Sequence, residues 1–113
     1  MMGRKKIYIR YDHPDTLVHI IEAIIADEPR RERMLAYSAE NDPILAEYKR
    51  LNTAIDEAVN SIEPELARII CADIINHNGY FRSKAAQYAA KRTYYRRKTK
   101  LIHDIANALN LIT

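Results

Sequence analysis

The chain has no tryptophan, one phenylalanine, one cysteine, two glycines and four prolines in 113 residues. So little glycine leaves few sites for tight hairpin turns, which sets an all-β fold at a disadvantage. It also rules out a glycine-rich phosphate loop. Cys71 stands alone, which excludes an intramolecular disulfide and a thiolate metal cluster. No apolar run approaches the ~20 residues of a membrane span. The N-terminus lacks the apolar stretch of a signal peptide, so a small cytoplasmic domain is expected. His13, His19, His77 and His103 have no metal-ligand spacing to one another or to Cys71, and the carboxylates form no recognisable pair. The expectation is therefore no metal, no cofactor and no catalysis. Cys71 reads as a small buried hydrophobe, His19 as a helix-surface residue and His77 as part of a helix cap.

A hydrophobic share of 48% with 29% charged residues is ordinary for a globular protein. The charges are segregated along the chain. Arg4, Lys5, Lys6 and Arg10 open it without an acid, and residues 11 to 80 then carry fourteen acids against six bases. Residues 81 to 100 hold Arg82, Lys84, Lys91, Arg92, Arg96, Arg97, Lys98 and Lys100 and no acid at all, with Tyr88, Tyr94 and Tyr95 between them. A cationic segment of this kind fits a polyanionic partner, because neutralising phosphates supplies most of the affinity for nucleic acid. It also fits a solvated basic helix face, or contacts with the acidic centre of the same molecule.

Residues 6 to 11 alternate as a half-buried strand does, with no second strand to pair with, so residues 1–11 read as a basic extended arm. Asp12 is a candidate cap for a first helix with Pro14 in its first turn and Leu17, Ile20, Ile21, Ile24 and Ile25 on one face. Pro29 opens a shorter second helix reaching to about Ala39, and Asp42-Pro43 caps and starts a third. In that third helix Ile44, Tyr48, Leu51, Ile55, Ala58 and Ile62 are spaced alternately by four and three. Either it packs inside the domain or it forms a dimer seam. Glu63-Pro64 begins a fourth helix with Leu66, Ile69, Ile70 and Ile74 on one face, and Gly79 is the expected left-handed residue after it. A short helix over residues 81–89 and a long one over 91–109 complete an all-α reading of five or six helices. Residues 12–61 form its acidic part and 62–113 its basic end, in one compact domain.

At 100° per residue, Tyr94, Tyr95, Leu101, Ile102, Ile105, Ala106 and Leu109 gather on one side of the last helix, while Arg92, Thr93, Arg96, Lys100, His103 and Asn107 gather on the other. Lys91 and Lys98 fall towards the apolar side and have to snorkel. A short alanine-rich helix joined closely to a basic one supplies the ingredients of a helix-turn-helix, whose second helix enters the major groove.

Thr93-Tyr94-Tyr95-Arg96-Arg97-Lys98, followed by Ile102, Ile105-Ala106 and Leu109, resembles the end of the phage regulators of the ArpU and RinA type. The resemblance covers about residues 62 to 110. It implies a helix-turn-helix similar to region four of sigma factors, acting on transcription of phage or prophage late genes in a bacterial host. By position it implies that Arg92, Thr93, Tyr94, Arg96 and Arg97 meet double-stranded DNA, and that Ile102, Ile105 and Leu109 pack on Leu66, Ile69 and Ile70. Where the family usually has a Leu-x-Ile-Ser turn, this chain has Tyr88-Ala89-Ala90-Lys91. Arg82, Lys84, Lys91 and Lys100 complete the candidate DNA-binding set on charge. The acidic helices are expected to form a homodimer or to touch RNA polymerase. Two alternatives use the same features: a small DNA-recognition subunit of a phage packaging machine, and an adaptor whose basic helix docks an acidic protein.

Overall fold

The computed structural model describes residues 13–37 and 42–112, so the expected arm and the Asp12 cap lie outside the described residues. Five α-helices follow in order: α1 (Asp15–Ala26), α2 (Glu28–Tyr37), α3 (Pro43–Ser61), α4 (Pro64–Ile75) and α5 (Lys91–Ala108). Local signals explain most boundaries. Asp42 caps α3 by accepting the Ile44 N–H at 2.8 Å, with Pro43 as the first helical residue. Pro64 is likewise the first helical residue of α4, but the Glu63 side chain before it makes no cap. The residue before α1 is Pro14, and no side chain caps that end.

The ends of α4 and α5 are built alike. Past α4, the Asn78 N–H reaches the Asp73 carbonyl at 2.8 Å and the His77 N–H reaches that of Ile74 at 3.3 Å, with His77 at φ 57°. Past α5, the Leu111 N–H reaches Ala106 at 2.9 Å and the Asn110 N–H reaches Asn107 at 3.0 Å, with Asn110 at φ 60°. These are Schellman closures, which need one left-handed residue. His77 takes that position after α4, in place of the expected Gly79, which sits at φ −86°.

Helix α4 occupies the middle, packing against α1, α3 and α5. Ile21 and Ile25 from α1, Ile55 and Val59 from α3, Leu66, Ile70 and Cys71 from α4, and Leu101, Ile102, Ile105 and Leu109 from α5 form one core. The expected packing of the α5 apolar face on that of α4 is present, with Ile69 at its edge. The inner face of α3 is filled from within the chain, and Ile44 at its start stays 57% exposed. Cys71 is buried, and burial pushes its thiol up to about 12, so it behaves as a small hydrophobe. No helix among the described residues is long and apolar enough to cross a membrane.

Helix α2 is attached differently, since its buried residues are Glu28 and Arg31. Arg31 is 2% exposed and donates to Asn52 Oδ1 of α3 at 2.7 Å and to the Ile24 carbonyl of α1 at 2.6 Å, with Asp27 at 3.5 Å. One guanidinium thus ties three helices, and its five donors in a fixed fork suit that task. Arg30 supports it from the surface, donating to Asp27 and to the Tyr48 hydroxyl at 3.2 Å. Burial raises the Glu28 carboxyl above its ordinary value. Replacing Arg31 by Ala leaves the buried Asn52 Oδ1 and the half-buried Ile24 carbonyl without donors and should cost about 2–4 kcal/mol of stability. Urea unfolding of the variant measures this; an unchanged midpoint would mean that α2 is held by something else.

Candidate nucleic-acid interface

Between α4 and α5 the chain does not form the expected single helix over 81–89. It makes two 3-10 turns, Tyr80–Arg82 and Lys84–Gln87, divided at Ser83. Ser83 is extended, and its hydroxyl accepts the Ala85 N–H at 3.0 Å, so it caps the second turn and interrupts the first. Ala85 is fully buried, and its turn packs on α4. The Tyr80 hydroxyl donates to the Ala89 carbonyl at 2.5 Å, fastening the end of this segment to its beginning. The segment remains a short connection that places α5 across α4, the order a helix-turn-helix uses, but its middle element is 3-10.

An aromatic cluster sets the start of α5. Tyr80 meets Tyr94 edge to face with ring centroids 5.3 Å apart, and Tyr94 meets Tyr95 at 5.2 Å. Tyr94 is 1% exposed, and its hydroxyl donates to Asp73 Oδ2 at 2.7 Å. Burial and the Asp73 carboxylate raise the Tyr94 phenol well above its usual range. The expectation that Tyr94 meets DNA is therefore corrected: the helical period had already put it on the apolar side, and there it stays, as the partner of a buried carboxylate. Changing Tyr94 to Phe should cost about 1–3 kcal/mol, because Asp73 loses its donor. Thermal unfolding reads this, and an unchanged melting temperature would show that water satisfies Asp73 instead.

The remaining candidates divide into two groups. Arg97 donates to Glu63, with Nη2 and Oε1 2.7 Å apart, and Lys100 to Asp104 Oδ2 at 2.7 Å. Lys98 lies 3.2 Å from Glu22 of α1, which is how it snorkels. These three cations are occupied by carboxylates of the same chain, the internal pairing that the acidic centre made available. Thr93 is half-buried. The second group lies nearer the start of α5: Arg82, Lys84, Lys91, Arg92 and Arg96 are all exposed. Of these, Arg82, Lys84 and Arg92 have no carboxylate partner among the described residues, and the Lys91 ammonium lies 5.0 Å from the centre of the Phe81 ring. Tyr88, interleaved with the cations in the sequence, is 58% exposed, and Phe81, which the sequence reading placed only as the start of a short helix, is 78% exposed.

The first turn of α5 is locally unfavourable. Ala90 precedes it with no side-chain cap, and Lys91 and Arg92 set positive charge at the positive end of the helix dipole. No acid in that turn offsets them. An anionic group of a partner would relieve both defects at once.

Elsewhere, a mixed cleft of about 400 Å³ is lined by Ala23, Ala26 and Ile74 together with Glu22, Asp73, His77 and Lys98, of which Glu22 and Lys98 already pair with each other. His13 and His103 meet with Nε2 and Nδ1 2.9 Å apart and rings 10° from parallel, a pairing across 90 residues with no trace in the sequence. Among the described residues no group of three or more His, Cys, Asp or Glu side chains is placed to hold a metal. No family model, no curated protein and no solved structure matches the chain.

Burial, with His13 and Lys100 adding and Asp104 opposing, lowers the His103 imidazole below its ordinary 6.5. The unfolded chain therefore takes up a proton that the folded chain refuses as pH falls below that value, so stability declines until the folded imidazole titrates. The melting temperature should drop on going from about pH 7 to about pH 5, and His103→Gln should flatten the slope. An equally steep slope in the variant would locate the acid sensitivity elsewhere.

Proposed function

We propose that this chain is a sequence-specific double-stranded DNA-binding protein that regulates transcription of phage genes. In this reading the start of α5 and the two turns before it lie against the duplex. The observation that carries the proposal is the uncapped first turn of α5, which holds Lys91 and Arg92 with no acid and is flanked by exposed Arg82 and Lys84. Local energetics oppose that arrangement in the isolated protein, and such local conflicts concentrate at functional sites. Phosphate groups would satisfy the open N–H groups and the cations together. The resemblance of residues 93 to 109 to ArpU- and RinA-type regulators supports the same assignment and adds its transcriptional context.

Arg82, Lys84, Lys91 and Arg92 are the phosphate-holding group of this proposal, and Arg96, one turn further along α5, is its base reader. Arg97 and Lys100 enter only by leaving Glu63 and Asp104. Regulation then works by recruitment without catalysis, through the acidic helices. There the exposed Met34 and Tyr37 of α2 and Ile44 of α3 offer an apolar surface to RNA polymerase or a second copy.

The test is fluorescence-anisotropy binding to duplex fragments at two salt concentrations. One fragment should be held while the others dissociate as salt rises. Lys84→Ala and Arg92→Ala should each lower the salt slope by about 0.9, one phosphate contact apiece. Arg96→Ala should weaken the specific fragment by about 1–3 kcal/mol and the others little. Equal, weak and fully salt-labile binding to every fragment would overturn the proposal, leaving a basic surface for an acidic protein.

A further inference from the structure

The basic surface at the start of α5 has an apolar centre. Phe81 is the one phenylalanine of the chain and 78% exposed, in a fold whose core holds nineteen hydrophobic residues at or below 8% exposure. It stands on the first 3-10 turn, whose neighbours on both sides are fixed. Tyr80 is buried and bonded to Ala89, and Ser83 is buried and caps the second turn. Phe81 is thus presented on a braced turn. The Lys91 ammonium lies over its ring at 5.0 Å, and Tyr80 meets it edge-on with centroids 5.3 Å apart. Tyr95, 40% exposed, adds a second aromatic edge through Tyr80, 6.5 Å away. Arg82 and Lys84 follow Phe81 in the chain, and Arg92 follows Lys91.

A large apolar ring held out of the core, with one cation over it and three more close to it or to that cation in the chain, has a specific chemical complement. The partner must offer an apolar planar face with negative charge around it, which describes a nucleobase between its phosphates. A protein groove would satisfy the ring but would need a dense set of carboxylates about it. A regular duplex satisfies the cations and leaves the ring against closed base stacks. Only a base step that opens satisfies both, and apolar wedges of this kind, phenylalanine among them, unstack steps and kink the duplex.

Resting on the DNA-binding reading above, we propose that Phe81 is a wedge residue. Its ring enters an opened base step of the bound DNA and stacks on a base, while Lys91 and the adjacent cations hold the flanking phosphates. The protein then reads deformability as well as base edges, and prefers pyrimidine–purine steps, which unstack most readily.

Three duplexes of one sequence test this: a perfect one, one with a single mismatch at a central TA step, and one carrying 2-aminopurine at that step. The wild-type chain should bind the mismatched duplex roughly tenfold tighter than the perfect one, because part of the unstacking is already done. Binding should also raise the 2-aminopurine fluorescence. Phe81→Ala should bring the two affinities to within about twofold and abolish the fluorescence change, with the salt slope kept; Phe81→Trp should restore both. Phe81 is mostly exposed, so the variants should fold, and circular dichroism verifies that they do. Equal wild-type affinity for perfect and mismatched DNA with no fluorescence change would overturn the wedge and leave the DNA-binding reading standing. Binding to none of the duplexes would overturn both.

Discussion

The hydrogen bond from Tyr94 to the buried carboxylate of Asp73 determines where the basic end of this protein lies. It joins the second turn of α5 to the last turn of α4 at 2.7 Å, with both side chains buried. There a hydrogen bond to a charged acceptor is strong, and an unmade one is costly. Tyr80 packs against the ring of Tyr94 and bonds to Ala89, so the connecting segment takes its path from the same pair. The exposure of Phe81, Arg82 and Lys84 follows from that path. Polar side chains in the interior thus hold the surface residues that the proposed function uses.

The same principle operates at the opposite part of the molecule, where Arg31 rather than an apolar face attaches α2. The hydrophobic core is supplied by α1, α3, α4 and α5 with the connecting turns, and α2 lies outside it. Beside its packing along α3, α2 is held by the hydrogen bonds of one guanidinium, whereas the other helices share an apolar core. Exposed along most of its length, with three arginines against two glutamates, α2 gives no buried apolar side chain to the shared core.

Much of the fold was legible because its signals are local. Asp42-Pro43 and Pro64 mark helix starts by steric and hydrogen-bonding rules that act within a few residues, and the apolar faces of α4 and α5 show their period directly. The path from 80 to 90 was not legible as written. Phe81 to Ala89 has the composition of a helix, and the interruption comes from Ser83 preferring to cap Ala85, a choice composition leaves open. At Tyr94 two readings of the sequence disagreed. Periodicity put it inside and the family resemblance put it on DNA, and the buried partner Asp73 decides for periodicity. Arg31 and Phe81 were invisible for opposite reasons. A buried arginine and an exposed phenylalanine both break the rule by which sequence is sorted into inside and outside, and only the geometry reveals such exceptions. The segregation of charge forecast contacts between the acidic centre and the basic end, and Arg97–Glu63 and Lys98–Glu22 are those contacts. It did not forecast which cations of α5 they would occupy, nor that Arg92 would have no carboxylate partner among the described residues.

In the proposed DNA-binding role, the length of the basic start of α5 sets a limit on information. From Lys91 to Arg96 the helix advances roughly 8 Å, at 1.5 Å per residue. A duplex advances 3.4 Å per base pair, so in the proposed DNA-binding role that stretch spans about two or three pairs. A word that short recurs by chance about every few dozen base pairs, and no genome is searched successfully with it alone. A single copy acting through this surface therefore carries part of an address, and the remainder has to come from elsewhere. A second copy reading an adjacent word, a polymerase already placed at a promoter, or the mechanical compliance of the site would each supply the missing letters.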